Sequence, residues 1–123
     1  FADFLEAAGA AFLSAARHKF SYRPESTALP EELVAFERAA AGADAVLVCA
    51  PNEAGMDFYE RARALGKRVA VVSVFSPAPL SRCGPEDAAV AVYGNSRACF
   101  DAGLAALKGE EAAEGRLPVK LSR

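Results

Sequence analysis

The sequence predicts an α/β fold: an open, mostly parallel, doubly wound sheet of about five strands flanked by helices, a three-layer α/β/α sandwich. Three observations carry the prediction. The runs Ala45–Ala50, Val69–Phe75 and Ala89–Tyr93 are short and strongly apolar, as strands buried between two helical layers are. Between and around them, apolar residues recur at helical spacing. Glycines and prolines punctuate the boundaries, and the alternation of the two patterns is that of repeated βαβ units.

Taken in order, the first element is a helix in which Phe1, Leu5, Ala8 and Phe12 share a face, with Gly9 as a mild defect. A strand near His18–Tyr22 follows, where Phe20 and Tyr22 alternate with polar neighbours, and Pro24–Leu29 reads as a loop. The second helix is better marked. Pro30 suits the first helical position, Glu31 and Glu32 complement the dipole, and Gly42 supplies the stop. Leu33, Phe36 and Ala40 form its apolar stripe. Ala45–Ala50 is the first central strand, ended by Pro51.

A third helix spans Met56–Leu65, with Phe58, Ala62 and Leu65 aligned and Gly66 as its cap. Val69–Phe75 is the second strong strand, and Ser76–Asp87 reads as a proline-rich loop. Ala89–Tyr93 is the third strand; Asn95 or Ser96 then caps a helix carrying Phe100, Leu104 and Leu107. Gly109 ends that helix, and Val119–Leu121 fits an edge strand.

Length and composition bound what such a domain can do. At 123 residues, residues 1–123 form one α/β domain, far short of the roughly 250 residues of a (β/α)8 barrel. The net charge of −2 argues against a nucleic-acid or anionic-membrane surface. No apolar run reaches the ~20 residues of a membrane span. The chain starts at Phe1 inside a helical pattern and shows no signal-peptide pattern, so a cut from a longer polypeptide is expected, and no targeting segment is read here. Cys49, Cys83 and Cys99 make neither a disulfide framework nor a CxxC pair. Cys49 and Cys99 read as small buried hydrophobes, and the odd count leans toward a reducing, cytoplasmic compartment.

In an open parallel sheet, ligands bind outside the carboxyl ends of the strands. Three loops occupy that rim: Pro51–Gly55, Ser76–Pro79 and Gly94–Ser96. Their candidate residues are Asn52, Glu53, Ser76, Asn95 and Ser96. Glu53 is the one rim carboxylate directly after a central strand, and a carboxyl group there has the chemistry of a general acid/base. The simpler reading, which is favoured, is a loop glutamate stabilising the start of the next helix. Gly94-Asn95-Ser96 fits an anion-binding turn, but an ordinary N-cap accounts for it with less. No GxGxxG, Walker or G-x-S-x-G phrase occurs. The sole histidine, His18, fits a surface or packing role, and one histidine with scattered cysteines makes no metal site. No cofactor is expected. Arg61, Arg63, Lys67 and Arg68 cluster where a helix C-terminus favours cations.

The last residues carry a resemblance. Gly115-Arg116-Leu117-Pro118-Val119, following a helix and leading to a short terminal strand, resembles the end of the C-terminal α/β domain of glycoside hydrolase family 3, with Lys120 where a Thr is usual. Gly42–Val48 is similar to that family's strand entry after an alanine-rich helix. Ala64–Ser73 is similar to its Gly-Lys-Pro-Val-Val-Val-Val strand, with Arg68 in place of Pro, and Ser76-Pro77 to the turn after it. Ala89–Ser96, with its Tyr93-Gly94 pair, is close to the β-N-acetylhexosaminidase branch. The glucosidase phrase Glu-Gly-x-Asp-Arg is incomplete here: Glu53 and Asp57 are present, but Phe58 stands where the Arg would be.

The resemblance implies a parent that hydrolyses terminal β-linked sugars with retention, its nucleophilic Asp on an N-terminal (β/α)8 barrel absent from this chain. In the N-acetylhexosaminidase branch it also implies a His acid/base on a barrel loop. This chain is then an accessory domain, inactive alone, whose partners are that barrel and, through it, a carbohydrate. A minority alternative has Glu53 completing a glucosidase-type site. A separate alternative, from the fold class alone, is a stand-alone flavodoxin-like small-molecule-binding or interaction module.

Overall fold

The computed structural model describes residues 30–116 and residue 120. The expected helix over 1–12 and the strands near 18–22 and 119–121 fall wholly or mainly outside the described residues. Within them the order is α1 (Pro30–Ala41), β1 (Ala45–Ala50), α2 (Glu53–Ala64), β2 (Arg68–Val74), a 3₁₀ turn (Ala78–Arg82), β3 (Ala88–Val92) and α3 (Arg97–Lys108). The three strands form one parallel sheet in the order β1-β2-β3. Ala45 pairs with Arg68 and Ala70 with Ala88, and the register runs on from both.

Alternation along the strands divides the core in two. Val48 and Ala50 of β1 and Val69 and Val71 of β2 pack with Phe36 and Ala40 of α1 and with Met56, Phe58, Tyr59 and Ala62 of α2. The intervening residues, Val72 and Val74 with Val92 of β3, pack with Phe100 of α3, and Leu47, Cys49 and Val90 join them. Two-sided burial is why the strands read as continuous apolar runs. The α1 and α2 layers meet through Phe36 and Phe58, whose rings stand edge-on at a centroid distance of 5.2 Å, a favoured aromatic geometry.

Both crossovers run over the α1/α2 face. The β1–β2 connection is α2. The β2–β3 connection has no α-helix, yet Leu80 and Cys83 pack into the same core. A right-handed parallel crossover always on one face moves the chain steadily across the sheet, which accounts for the sequential strand order.

Several boundaries depart from the sequence expectation. Helix α2 starts at Glu53, not Met56: Asn52 takes an extended N-cap conformation (φ −155°, ψ −176°) and its carbonyl accepts the Gly55 N–H at 3.2 Å. Gly55 therefore lies inside the helix, and the position requires glycine because a Cβ there would stand 2.8 Å from Ala50 Cα. The backbone of the first turn presses on the end of β1. The Ser76–Asp87 segment is not all loop, since Pro77 and Pro79 sit at the start of the 3₁₀ turn, where a fixed φ near −65° suits a first turn. Strands β2 and β3 end one residue early, leaving Phe75 and Tyr93 beyond them. Leu65 is 41% exposed and leaves the α2 stripe. Cys49 and Cys99 are half-buried; Cys83 is the fully buried thiol. The cap readings hold at Gly66 and Gly109, both left-handed (φ 70° and 73°), and Ser96 rather than Asn95 caps α3.

Candidate functional site

The rim at the carboxyl ends of the strands is lined by Pro51-Asn52-Glu53 after β1, Phe75-Ser76-Pro77 after β2 and Tyr93–Ser96 after β3. Parallel pairing brings these segments side by side, as the sequence reading required. What the individual side chains do there is largely structural.

Glu53 occupies the first turn of α2, where its charge meets the helix dipole. It is also bound by Arg82. Arg82 Nη1 donates to the Glu53 carbonyl at 3.1 Å and to its Oε2 at 3.4 Å, while Nη2 reaches Asp57 at 3.2 Å and Glu60 at 2.6 Å. Glu53, Asp57 and Glu60 stand at positions i, i+4 and i+7 of α2 and so share one face. Partial burial opposes the Arg82 charge, but Glu60 and Asp57 outweigh it, and its guanidinium is held protonated above its ordinary range.

A second set of bonds lies one turn further along. Tyr59 Oη donates to Asp87 Oδ2 at 2.7 Å and accepts the Gly84 N–H at 2.7 Å. Arg63 Nη1 pairs with Asp87 at 2.9 Å, and Nη2 pairs with Glu86. Burial raises the Tyr59 phenol above its ordinary value, the Gly84 N–H opposes this, and the Asp87 carboxylate adds to it. The Glu86 carboxyl is lowered by its own backbone N–H and then by Arg63. The two sets together fasten the helix-free β2–β3 crossover onto α2. Each exposed ion pair is worth only ~0–1 kcal/mol, so the strength lies in their number and in the two part-buried bonds of the Tyr59 hydroxyl.

The basic cluster is likewise used. Arg61 pairs with Glu37 of α1 at 2.9 Å, and Lys67 Nζ donates to the carbonyls of Ala41 and Ala43 at 3.0 and 2.8 Å, closing the C-terminus of α1.

Of the remaining rim candidates, the two serines follow the same pattern. Ser76 Oγ accepts the Ala78 N–H at 3.2 Å, and the Ser76 carbonyl accepts from the buried Ser73 hydroxyl. Ser96 Oγ accepts the Cys99 N–H at 3.3 Å, so the Gly94–Ser96 turn is a helix cap. Asn52 takes the N-cap position of α2 without a side-chain capping bond, and Asn95 is exposed. Among the described residues no group of His, Cys, Asp and Glu is placed to hold a metal ion, and no helix is long and apolar enough to cross a membrane.

Sequence reading passed over Arg82, Phe75 and Tyr93. The carboxylate stripe at 53, 57 and 60 was the available signal for a cation partner. Phe75 and Tyr93 were counted as strand residues, whereas they stand on the rim, 56% and 54% exposed. Compared with protein-family profiles, with curated proteins and with solved structures, the chain has no significant match.

Proposed function

We propose that this chain is the C-terminal α/β domain of a family 3 glycoside hydrolase of β-N-acetylglucosaminidase type, packing against a catalytic (β/α)8 barrel and not catalytic alone. The observation that carries the reading is the placement of the family-like phrases on the fold. Gly42–Val48 leads into β1, Ala64–Ser73 leads into and through β2, and Tyr93-Gly94 joins β3 to a capped helix. The Gly-Arg-Leu-Pro-Val phrase begins after that helix, at Gly115. In this reading the segments near 18–22 and 119–121 extend the sheet to about five strands in a three-layer sandwich.

The accessory role is supported by what occupies the rim. The single carboxylate positioned for acid/base work, Glu53, pairs with Arg82, and Ser76 and Ser96 serve a turn and a helix cap. In this reading, the nucleophilic Asp and the acid/base His belong to the barrel, and a retained β-anomer would be formed there through a covalent glycosyl intermediate.

The test is hydrolysis of aryl β-N-acetylglucosaminide and aryl β-glucoside by the polypeptide encoded around this chain and by residues 1–123 alone. Turnover confined to the longer polypeptide, with the N-acetylated sugar preferred, is the expected result. Turnover by residues 1–123, or an encoded polypeptide without a barrel, overturns the reading. The latter outcome leaves the stand-alone binding module.

A further inference from the structure

Among the described residues β1 is an edge strand, and it has the wrong composition for one. Ala45–Ala50 is apolar throughout and pairs with β2 without a bulge, whereas an open edge is ordinarily guarded by charges, prolines or bulges. Its residues are those of a strand enclosed within a sheet.

The helices agree. α2 lies over β1 and β2, and its flank toward β3 is taken by the 3₁₀ turn. α1 stands on the other flank: it packs broadly on α2 and on no described strand. Packed helices are about 8–10 Å apart and neighbouring strands about 4.8 Å, so the axis of α1 runs beyond β1, above the place of one further strand. Phe36 and Ala40 of α1 are nonetheless buried. On the opposite face α3 rests on β3, where Gly103 brings it against Val92. A helix about 10 Å across covers roughly two strands. Leu47 and Cys49 of β1 lie farther out, beyond β2, yet they too are partly buried.

We propose that residues 1–29 enclose β1: residues 18–22 pair in parallel with its outer edge, beneath α1, and the apolar face of the helix read at 1–12 lies on Leu47 and Cys49 beside α3. The segment runs directly into Pro30 of α1, so residues 18–22, α1 and β1 make a βαβ unit. With α1 on the same face as α2, a right-handed crossover puts the first strand on the side of β1 away from β2. The lengths agree, since α1 spans about 18 Å and β1 about 20 Å. Arg17, His18 and Lys19 then give the new edge the charges that β1 lacks. The α3 face is left for the preceding helix, because α1 and α2 fill the other. The hydrolase reading is not needed for this arrangement.

The test is NMR on residues 1–123. A strand paired on one edge leaves alternate N–H groups open. Amide exchange at Val46, Leu47, Val48 and Cys49 is expected to be slowed at every position, about a hundredfold or more against the exposed residues 110–116. Slowing at alternate positions alone overturns the pairing. Slowing at every position that fades on dilution makes a second copy the neighbour, and also overturns it. For the helix, Overhauser contacts of Leu5 or Phe12 with Leu47 are expected, and their absence overturns its placement. Leu5→Ala is expected to speed disulfide labelling of Cys49 about tenfold relative to Cys83, which packs on the other face of the sheet; an unchanged ratio counts against the helix in the same way. Sugar hydrolysis enters none of these readouts, so failure here and failure of the hydrolase reading are told apart.

Discussion

Arg82 grips Glu53 twice, with Nη1 3.1 Å from its carbonyl oxygen and 3.4 Å from its carboxylate Oε2. The contact joins the start of α2 to the end of the 3₁₀ turn and turns a possible acid/base into part of a structural network. Glu53 thus already has structural work at this position, in an ion pair and at the α2 N-terminus. If the proposed hydrolase reading holds, Glu53→Gln in the longer polypeptide is expected to leave turnover within about twofold, because no step loses its proton donor. A fall of about a hundredfold or more, the scale for losing a general acid, would restore Glu53 to the reaction.

Arg82→Ala tests the other end of the same contact. Asp57 and Glu60 would be left facing Glu53 along one helix face, and like charges at i, i+4 repel. The expected loss is about 1–2 kcal/mol by urea denaturation, kept modest because the exposed pairs are screened. It should shrink as salt is raised. A loss that grows with salt would mean that Arg82 acts by packing its stem rather than by charge.

Gly55 reverses an ordinary rule. Gly→Ala inside a helix usually stabilises by up to ~1 kcal/mol, but a Cβ here would meet Ala50 Cα at 2.8 Å, a backbone atom that cannot step aside. Gly55→Ala is expected to destabilise by roughly 1–3 kcal/mol, the range for overpacking. Gly103→Ala is a close companion, since its Cβ would lie 2.7 Å from Val92 Cγ1. Gly42→Ala, with nothing within 4 Å, serves as the control. Equal Tm values for the Gly42 and Gly55 variants would show that the α2–β1 contact is looser than described.

These contacts also mark where sequence reading stopped. Strands β1, β2 and β3 were legible because burial on both faces writes itself locally as an apolar run, and α1 and α3 because Pro30, Gly42, Ser96 and Gly109 are local signals. The start of α2 was missed because Gly55 looked like a loop residue, when its role is to let the first turn press on Ala50 at the end of β1. Only half of the clamp was legible: the carboxylate stripe of α2 is a local pattern, but Arg82 meets its partners 22 to 29 positions away, and no periodicity links them. Phe75 gave no warning of its left-handed backbone (φ 70°), since such a position normally announces itself with Gly or Asn. The strand-end rim was located correctly, but Ser76 and Ser96 serve a turn and a helix cap, and its aromatic pair was absorbed into strands.

Tyr59 supplies a pH-dependent test of the clamp. Its phenol is raised in the folded chain by burial, with Asp87 adding to the shift against the Gly84 N–H. A raised folded value means that the folded state holds its proton more tightly. The resulting stability is fully present below the unfolded tyrosine value of about 10 and is lost as pH rises through the folded value. Tyr59→Phe is expected to cost about 1–2 kcal/mol at neutral pH, because Gly84 and Asp87 lose their shared partner. The same variant should flatten the decline of Tm above about pH 9.5. An unchanged alkaline slope would assign that decline to other groups.

The thiols give a last prediction that depends on the sheet itself. Burial pushes the Cys49 thiol up to about 11, and Cys83 is 4% exposed among apolar residues. Since the thiolate is the reactive form, Cys49 at pH 8 should react with a disulfide reagent on the order of a hundredfold more slowly than a free cysteine of pKa about 8.5. Full denaturation should release the block at both positions. The sign for stability is the same as for Tyr59: the Cys49 contribution is present below the unfolded thiol value and is lost as pH climbs toward about 11. Cys49→Ala should remove that alkaline component while costing some packing in the cluster of Leu47 of β1 with Val72 and Val74 of β2. Site-resolved labelling by mass spectrometry separates the cases. Rapid modification of Cys49 in the folded chain would mean that the α3 face of β1 opens to solvent, and the two-sided core described for this sheet would have to be revised.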